Sequence, residues 1–253
     1  MIALTREVSP ALAACELTHL PRVPIDIGAA RRQHAAYEQA LMAAGCAVER
    51  IAAAPGLPDS VFVEDIAIAF PELAIVTRPG AESRRAETAA VGEALARHRS
   101  LHHIQEPGTL DGGDVLVAGR SVYIGRSSRT NDHAIAQVKQ VLSPYGYTVC
   151  TVAVSGCLHL KSAVTLVDHN ALLVNPAWVP PDAFARAELI EVDPEEPMAA
   201  NAQRVGGVVI YPTAFPRTAD RLSRRGLTVT PVDVSELAKA EGAVTCCSII
   251  LAG

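Results

Sequence analysis

One pattern restricts the fold of this chain more than any other: a hairpin, a helix and a strand that recur along it. Glu64-Asp65 precede a β-branched run, a Phe-Pro-Glu turn and a second run ending at Thr77-Arg78. Gly113-Asp114 open the same sequence of events, with an Ala-Gly-Arg turn and a run ending at Arg126. Lys161-Ser162 open it again, with an Asp-His-Asn turn and a run ending at Asn175. Short alternating or apolar runs around such turns predict antiparallel hairpins. The stretches Ser83–His98 and Asn131–Leu142 follow two of them, the second with Ile135, Val138, Val141 and Leu142 on one face, and both predict helices. Gly45, Gly146 and Gly226 each stop a helical stretch and release an alternating strand.

The repeat is about fifty residues long, so roughly five units fit the 253 residues, the number expected of a closed ring. The fourth unit is the weakest: 183–192 and then 206–211, with Asp193–Pro197 as a loop. The fifth starts at Thr245-Cys246-Cys247-Ser248, runs to Leu251 and lacks a partner strand. Ile2–Thr5 is the remaining candidate, so pairing the two ends would close the ring. No interdomain linker interrupts the pattern, which predicts a single catalytic domain spanning 1–253. An open doubly wound sheet is the alternative. However, Gly112-Gly113 precedes a strand rather than a helix, which is the wrong context for a dinucleotide loop. The expected class is therefore α/β, a five-bladed pseudosymmetric propeller.

Composition narrows the function classes. With 22 basic against 27 acidic residues, the chain has no excess charge to neutralise a nucleic acid backbone. No apolar run is long enough to span a bilayer, and Arg6-Glu7 bring charge too early for a secretory signal. A cytoplasmic location, without nucleic acid or membrane partners, is the expectation. None of the six cysteines forms Cys-x-x-Cys, so neither a disulfide framework nor a structural zinc site is expected. Aromatics are only 4 %, so the core must be built from aliphatic runs.

Aligning the repeats shows which polar residues share a place. Glu64-Asp65, Asp111 and Asp114, His159, and Cys246-Cys247 all stand just before a first hairpin strand. In a radial array such positions meet at one end of the axis. A cysteine there would serve as nucleophile. A histidine would move protons near neutral pH, and a carboxylate beside it would hold the imidazole and favour its charged form. Surplus carboxylates suit a cationic ligand such as a guanidinium, whose N–H donors match two carboxylates.

These residues also resemble a known family. Phe62-Val63-Glu64-Asp65, Thr77–Ala81, Ser83-Arg84-Arg85, Leu110–Asp114, Ser128–Asn131, Leu158–Ser162 and Thr245–Ser248 are similar, in order, to motifs of the dimethylarginine dimethylaminohydrolases. Leu17-Thr18 and Gln33-His34 extend the likeness towards the N-terminus. The resemblance implies the guanidine-modifying (pentein) propeller and hydrolysis of Nω-methylated arginine to citrulline and methylamine or dimethylamine through a covalent thiouronium. It implies Cys246 as nucleophile, His159 as proton-transfer residue and Asp111 as the carboxylate beside it. Asp65, with Glu64 or Asp111, would grip the guanidinium. Arg84 and Arg129 would bind the α-carboxylate, and Asp59 with the backbone carbonyls of Leu17 and Ala240 would hold the α-ammonium. The loop after Leu17, with Pro21 and Pro24, is the expected lid.

No cofactor is implied. Zinc is expected only as an inhibitor, trapped by Cys246, His159, Glu64 and Asp65. The partner is a small-molecule methylated arginine, and a homodimer is one open arrangement. The competing readings are an arginine or agmatine deiminase, whose free-arginine members carry an extra helical insertion missing here, an amidinotransferase, and a non-enzymatic propeller.

Overall fold

The computed structural model describes residues 1–252. From the N-terminus, β1 (Ile2–Arg6), α1 (Ile27–Ala43) and β2 (Ala47–Ile51) form most of the first blade. The second is β3 (Ala67–Ala69), β4 (Leu73–Val76), α2 (Thr88–Ala96) and β5 (Ser100–His103). The third is β6 (Val115–Ala118), β7 (Ser121–Arg126), α3 (Asp132–Leu142) and β8 (Thr148–Ala153). A single turn, α4 (Leu160–Ala163), then introduces β9 (Val164–Asp168), β10 (Ala171–Val174) and β11 (Glu188–Glu191). The next blade is β12 (Gln203–Val205), β13 (Val208–Pro212), α5 (Pro216–Arg224) and β14 (Thr228–Val232). A short α6 (Ser235–Ala238) precedes β15 (Ile249–Leu251).

Five three-stranded sheets result, and all obey one rule. The first two strands of each unit are antiparallel and the third runs parallel to the second. The expected closure is present: β1 pairs antiparallel with β15, Ile2 opposite Leu251 and Leu4 opposite Ile249. Middle strands such as Leu73–Val76 and Ala171–Val174 are buried at every residue, which is why they read as unbroken apolar runs. Third strands such as Ser100–His103 lie at the rim and are mostly exposed.

Helices pack outside the sheets. In α3, Ala134, Ile135, Val138 and Leu142 are buried, and the Asn131 side chain caps the helix by accepting from the Ala134 N–H. Gly146, at φ 75°, turns the chain out of that helix into β8 in a conformation that other residues adopt at a cost. First strands line the axis, where a cavity of about 230 Å3 runs between Ala67–Ala69, Val115–Val117, Thr165–Leu166 and Ile249–Ile250. Among the described residues, no helix is long and apolar enough to cross a membrane.

Three local expectations need correction. The segment 183–192 is not the opening of the fourth unit; its strand, Glu188–Glu191, is the parallel third strand of the blade before it. Pro176, Pro180 and Pro181 exclude a full helix there, so a 3-10 turn at Pro181–Phe184 makes the crossover. The fourth hairpin is 203–212, turned at Gly206-Gly207. The helix after the second hairpin begins at Thr88, behind a 3-10 turn over Glu82–Glu87. Finally, Thr245–Cys247 is a 3-10 turn rather than strand, so Cys246 and Cys247 are separated by a helical rotation and not by strand alternation.

Candidate active site

The element that builds the site is the helical turn ahead of each first strand. Val63–Ile66, Gly112–Asp114, Leu160–Ala163 and Thr245–Cys247 occupy equivalent places and converge on the axis. Two of these turns give a backbone N–H to a buried carboxylate. Asp65 Oδ1 accepts from the Gly113 N–H at 3.1 Å, and Asp114 Oδ1 accepts from the Leu160 N–H at 2.9 Å. Ser127 and Thr130 hydroxyls donate to Asp114 Oδ2. Asp114 is therefore a tie that fixes the turn carrying His159. Gly113 has no room for a side chain: a Cβ there would lie 2.7 Å from both Asp65 Oδ1 and His159 Nδ1.

His159 is buried between two carboxylates, with Nε2 3.1 Å from Asp111 Oδ2 and Nδ1 3.8 Å from Asp65 Oδ1. Burial opposes the charged imidazole, but Asp65, Asp111 and Asp114 outweigh it and push the pKa up to about 9. Asp111 is completely buried, and its other oxygen accepts from the Gly80 N–H at 2.8 Å. Burial alone would raise the pKa of Asp65. The charges of His159 and Arg84 nevertheless hold its carboxyl below the ordinary range.

Cys246 lines the same cavity as His159, Asp65, Asp59, Arg84 and Arg129, together with Phe62 and Ala240. Burial, followed by the negative charges of Glu64 and Asp65, pushes its thiol well above the ordinary value. Cys247, one residue on, is packed in the core with Sγ 3.5 Å from the Ala243 carbonyl. Cavity and carboxylates thus favour a protonated thiol beside a protonated imidazole until a cation enters.

The other expected residues divide. Arg84 is buried, and its donors are already engaged: Nη1 lies 2.5 Å from Asp65 Oδ2, Nη2 reaches Glu87 and the Asp59 and Phe62 carbonyls, and Nε reaches Glu87. Arg129 bonds Thr18 Oγ1 at 3.1 Å and stands 4.0 Å from Asp111 Oδ2, which leaves donors to spare. Asp59 accepts from the Glu16 N–H with both oxygens, at 3.3 and 3.1 Å. Glu64 faces the axial channel instead, paired with Lys161 Nζ at 2.5 Å and accepting from Thr245 Oγ1 at 2.7 Å. Leu17 packs against the first-blade core beside the cavity. Asp65, Asp111 and His159 offer ligand atoms within 4.8 Å of one another, a metal-capable group that includes neither Cys246 nor Glu64 of the expected zinc set.

Residues beyond the sequence reading also belong here. Asn201 holds the turn that carries Cys246 from both sides, accepting from the Thr245 N–H at 3.1 Å and donating to Thr245 Oγ1 at 2.9 Å. It occupies the axial place of the fourth unit, and only the misaligned hairpin hid it. Glu16, Leu158, Glu241 and Gly242 complete the cavity wall. No repeat position marks Glu241.

Comparison with known proteins follows the same lines. A profile of the family described as N,N dimethylarginine dimethylhydrolase, eukaryotic, matches residues 24–182. The N(G),N(G)-dimethylarginine dimethylaminohydrolase of Streptomyces coelicolor is 43% identical over 251 residues, covering 98% of this chain and 96% of that relative. That of Pseudomonas aeruginosa is 38% identical over 226 residues, covering 88% of this chain and 89% of the relative. A solved structure of DDAH from Pseudomonas aeruginosa, a cysteine-to-serine mutant complexed with citrulline, superposes with a TM-score of 0.93 at 35% identity, covering 98% of this chain and 97% of that one.

Proposed function

The chain belongs to the dimethylarginine dimethylaminohydrolase family, and on that premise we propose that it hydrolyses Nω-methylated L-arginine to L-citrulline and methylamine or dimethylamine. The observation that carries this reading is His159, charged between Asp111 and Asp65, on the wall of a cavity that also holds Cys246.

Substrate entry exchanges ion pairs. The Arg84 guanidinium pairs with Asp65, the carboxylate proposed to receive the substrate guanidinium. The substrate's α-carboxylate draws Arg84 and Arg129, and Asp65 is released to the incoming guanidinium. Asp59, already an acceptor of the Glu16 N–H, turns to the α-ammonium with the Leu17 and Ala240 carbonyls. Glu64 acts from behind the site through its charge, fixed by Lys161.

Chemistry follows from the charges. The substrate cation offsets Glu64 and Asp65, so the Cys246 thiol loses its proton to solvent and the thiolate adds to the guanidinium carbon. The tetrahedral adduct breaks its bond to the methylated nitrogen, and His159 donates the proton that lets the amine leave neutral. A cysteinyl thiouronium remains. His159, now neutral, takes a proton from the attacking water, and collapse of the second adduct passes its hydroxyl proton to the departing sulfur, releasing citrulline and the Cys246 thiol. Asp111 holds the imidazole's orientation through both steps. Zinc keeps the role of an inhibitor, bound by His159 with neighbouring carboxylates and Cys246, so a chelator should leave turnover intact.

The deciding experiment supplies asymmetric dimethylarginine, monomethylarginine, arginine and agmatine in parallel and measures citrulline and the released amine. Citrulline with dimethylamine or methylamine is the expected result. Ammonia from arginine, with methylated arginine untouched, would overturn the reading in favour of a deiminase.

A further inference from the structure

The cavity bounded by Cys246, His159 and Arg129 measures only about 20 Å3, room for one water and not for an arginine. Glu16 lines it, and the segment that Glu16 opens, here called the roof, has no regular secondary structure as far as α1. Residues 18–20 of that roof are exposed, with little apolar packing to hold them. Their backbone is held instead by one side chain. The Glu241 carboxylate accepts the Thr18 N–H at 3.0 and 3.1 Å, the His19 N–H at 2.5 Å and the Leu20 N–H at 2.6 Å.

Glu241 is also the only non-glycine residue with positive φ among the described residues, at 57°. It follows α6, in the turn where Ala240 and Gly242 donate back to the Leu237 carbonyl. Helices commonly end on such a left-handed residue, and the position favours glycine. The chain carries a carboxylate there, at a conformational cost, and the carboxylate is spent on the roof. Ala240 and Gly242, on either side, line the cavity.

The roof is wired to the residues proposed to bind the amino-acid end. The Glu16 N–H bonds Asp59, Thr18 Oγ1 accepts from Arg129, and the Ser83 hydroxyl donates to Glu16. Beyond Glu241 lies a second cavity of about 430 Å3, bounded by His19, Leu20, Leu158 and Phe215, which gives a released roof room to swing.

We propose that Glu241 is a positioning residue: its carboxylate gathers the three roof N–H groups and holds the roof closed, with Asp59 and Arg129 at the end of the site proposed to take the amino-acid group of the substrate. The inference rests on the methylarginine reading for its substrate, but not for its mechanics. Losing the tie moves the free enzyme towards an open roof, and binding must then include closing it, so the loss falls on KM.

Glu241→Gly is the decisive variant, because glycine relaxes the backbone while removing the carboxylate. It should raise KM about tenfold with kcat held within a small factor, as expected for charge-assisted bonds lost from the ground and transition states alike. Its Tm should equal or exceed that of the parent, which a merely structural role would not give. Glu241→Gln, which keeps an acceptor oxygen, should recover most of the KM. Trypsin cleavage after Arg22, in the same roof, should accelerate by a similar factor in Glu241→Gly. An unchanged KM with unchanged cleavage would overturn the proposal, as would a kcat loss without a KM change. Failure of the parent to turn over methylarginine would instead sink the substrate reading, while the cleavage rates would still decide the tie.

Discussion

His159 and Asp111 meet at 3.1 Å, Nε2 to Oδ2, and this contact joins Asp65 in keeping the imidazole charged against the opposing effect of burial. A general acid must carry its proton, so kcat/KM should fall as pH rises through about 9. Asp111→Asn preserves size and removes the charge, so the basic limb of the profile should move to lower pH. An unmoved limb would separate the limb from His159. The same shift bears on stability: the charged imidazole contributes fully below its ordinary value of 6.5, and that contribution is lost as pH climbs through about 9. Denaturant midpoints measured across that range should decline and should decline less in Asp111→Asn.

Cys246 and Cys247 differ in surroundings more than in chemistry, one on the cavity wall and the other inside the core. Cys246→Ser should abolish citrulline formation with the Tm preserved. Cys247→Ala should retain turnover and lose roughly 1 kcal/mol of stability through a small cavity. Activity retained in the first variant and lost in the second would transfer the nucleophile to Cys247. In His159→Asn turnover should fall by about a hundredfold to ten-thousandfold, and mass spectrometry should find substrate carbon retained on the protein.

Gly113 is a point of contact, not of flexibility. An added Cβ would sit 2.7 Å from Asp65 Oδ1 and His159 Nδ1, so Gly113→Ala must push the imidazole aside. A displacement of that kind is expected to cost about a hundredfold in kcat, with a stability loss of about 1–3 kcal/mol from overpacking. Circular dichroism and steady-state kinetics on one preparation would separate the two effects.

Glu64 and Lys161 meet across the axis at 2.5 Å, their side chains 9% and 17% exposed. Lys161→Met leaves the carboxylate buried and is expected to cost about 2–3 kcal/mol, the lower end of the range because Lys161 keeps some exposure. Adding Glu64→Gln should restore part of that loss. A double-mutant cycle with no coupling would show that the pair is only a neighbour relation.

How much of this was legible in the sequence depends on how each residue is placed. Axial residues were legible because four of the units repeat the same approach to a first strand: Glu64, Asp65, Asp111, His159 and Cys246 could be aligned without any structure. Asn201 was not, since the prolines around residues 176–181 replace a helix by a 3-10 turn and shift the apparent unit. The helical turns themselves are too short to print a period, so Thr245–Cys247 read as strand. Glu241 was invisible for another reason. Its partners are main-chain N–H groups more than two hundred residues away, and backbone donors leave no trace in side-chain identity.

Closure of the ring by β1 and β15 has a consequence in time. During synthesis, four blades can assemble around His159, the carboxylates and both arginines while Cys246 is still unmade. Cys246 arrives in the turn just before the strand that pairs with Ile2–Leu4, so the thiol reaches its partners in the act that seals the barrel-like wall. A contact between residues so distant in the chain is also among the slowest to form. On the roles proposed above, reactivity is thereby tied to completion: an unfinished chain exposes charges, but not the cysteine.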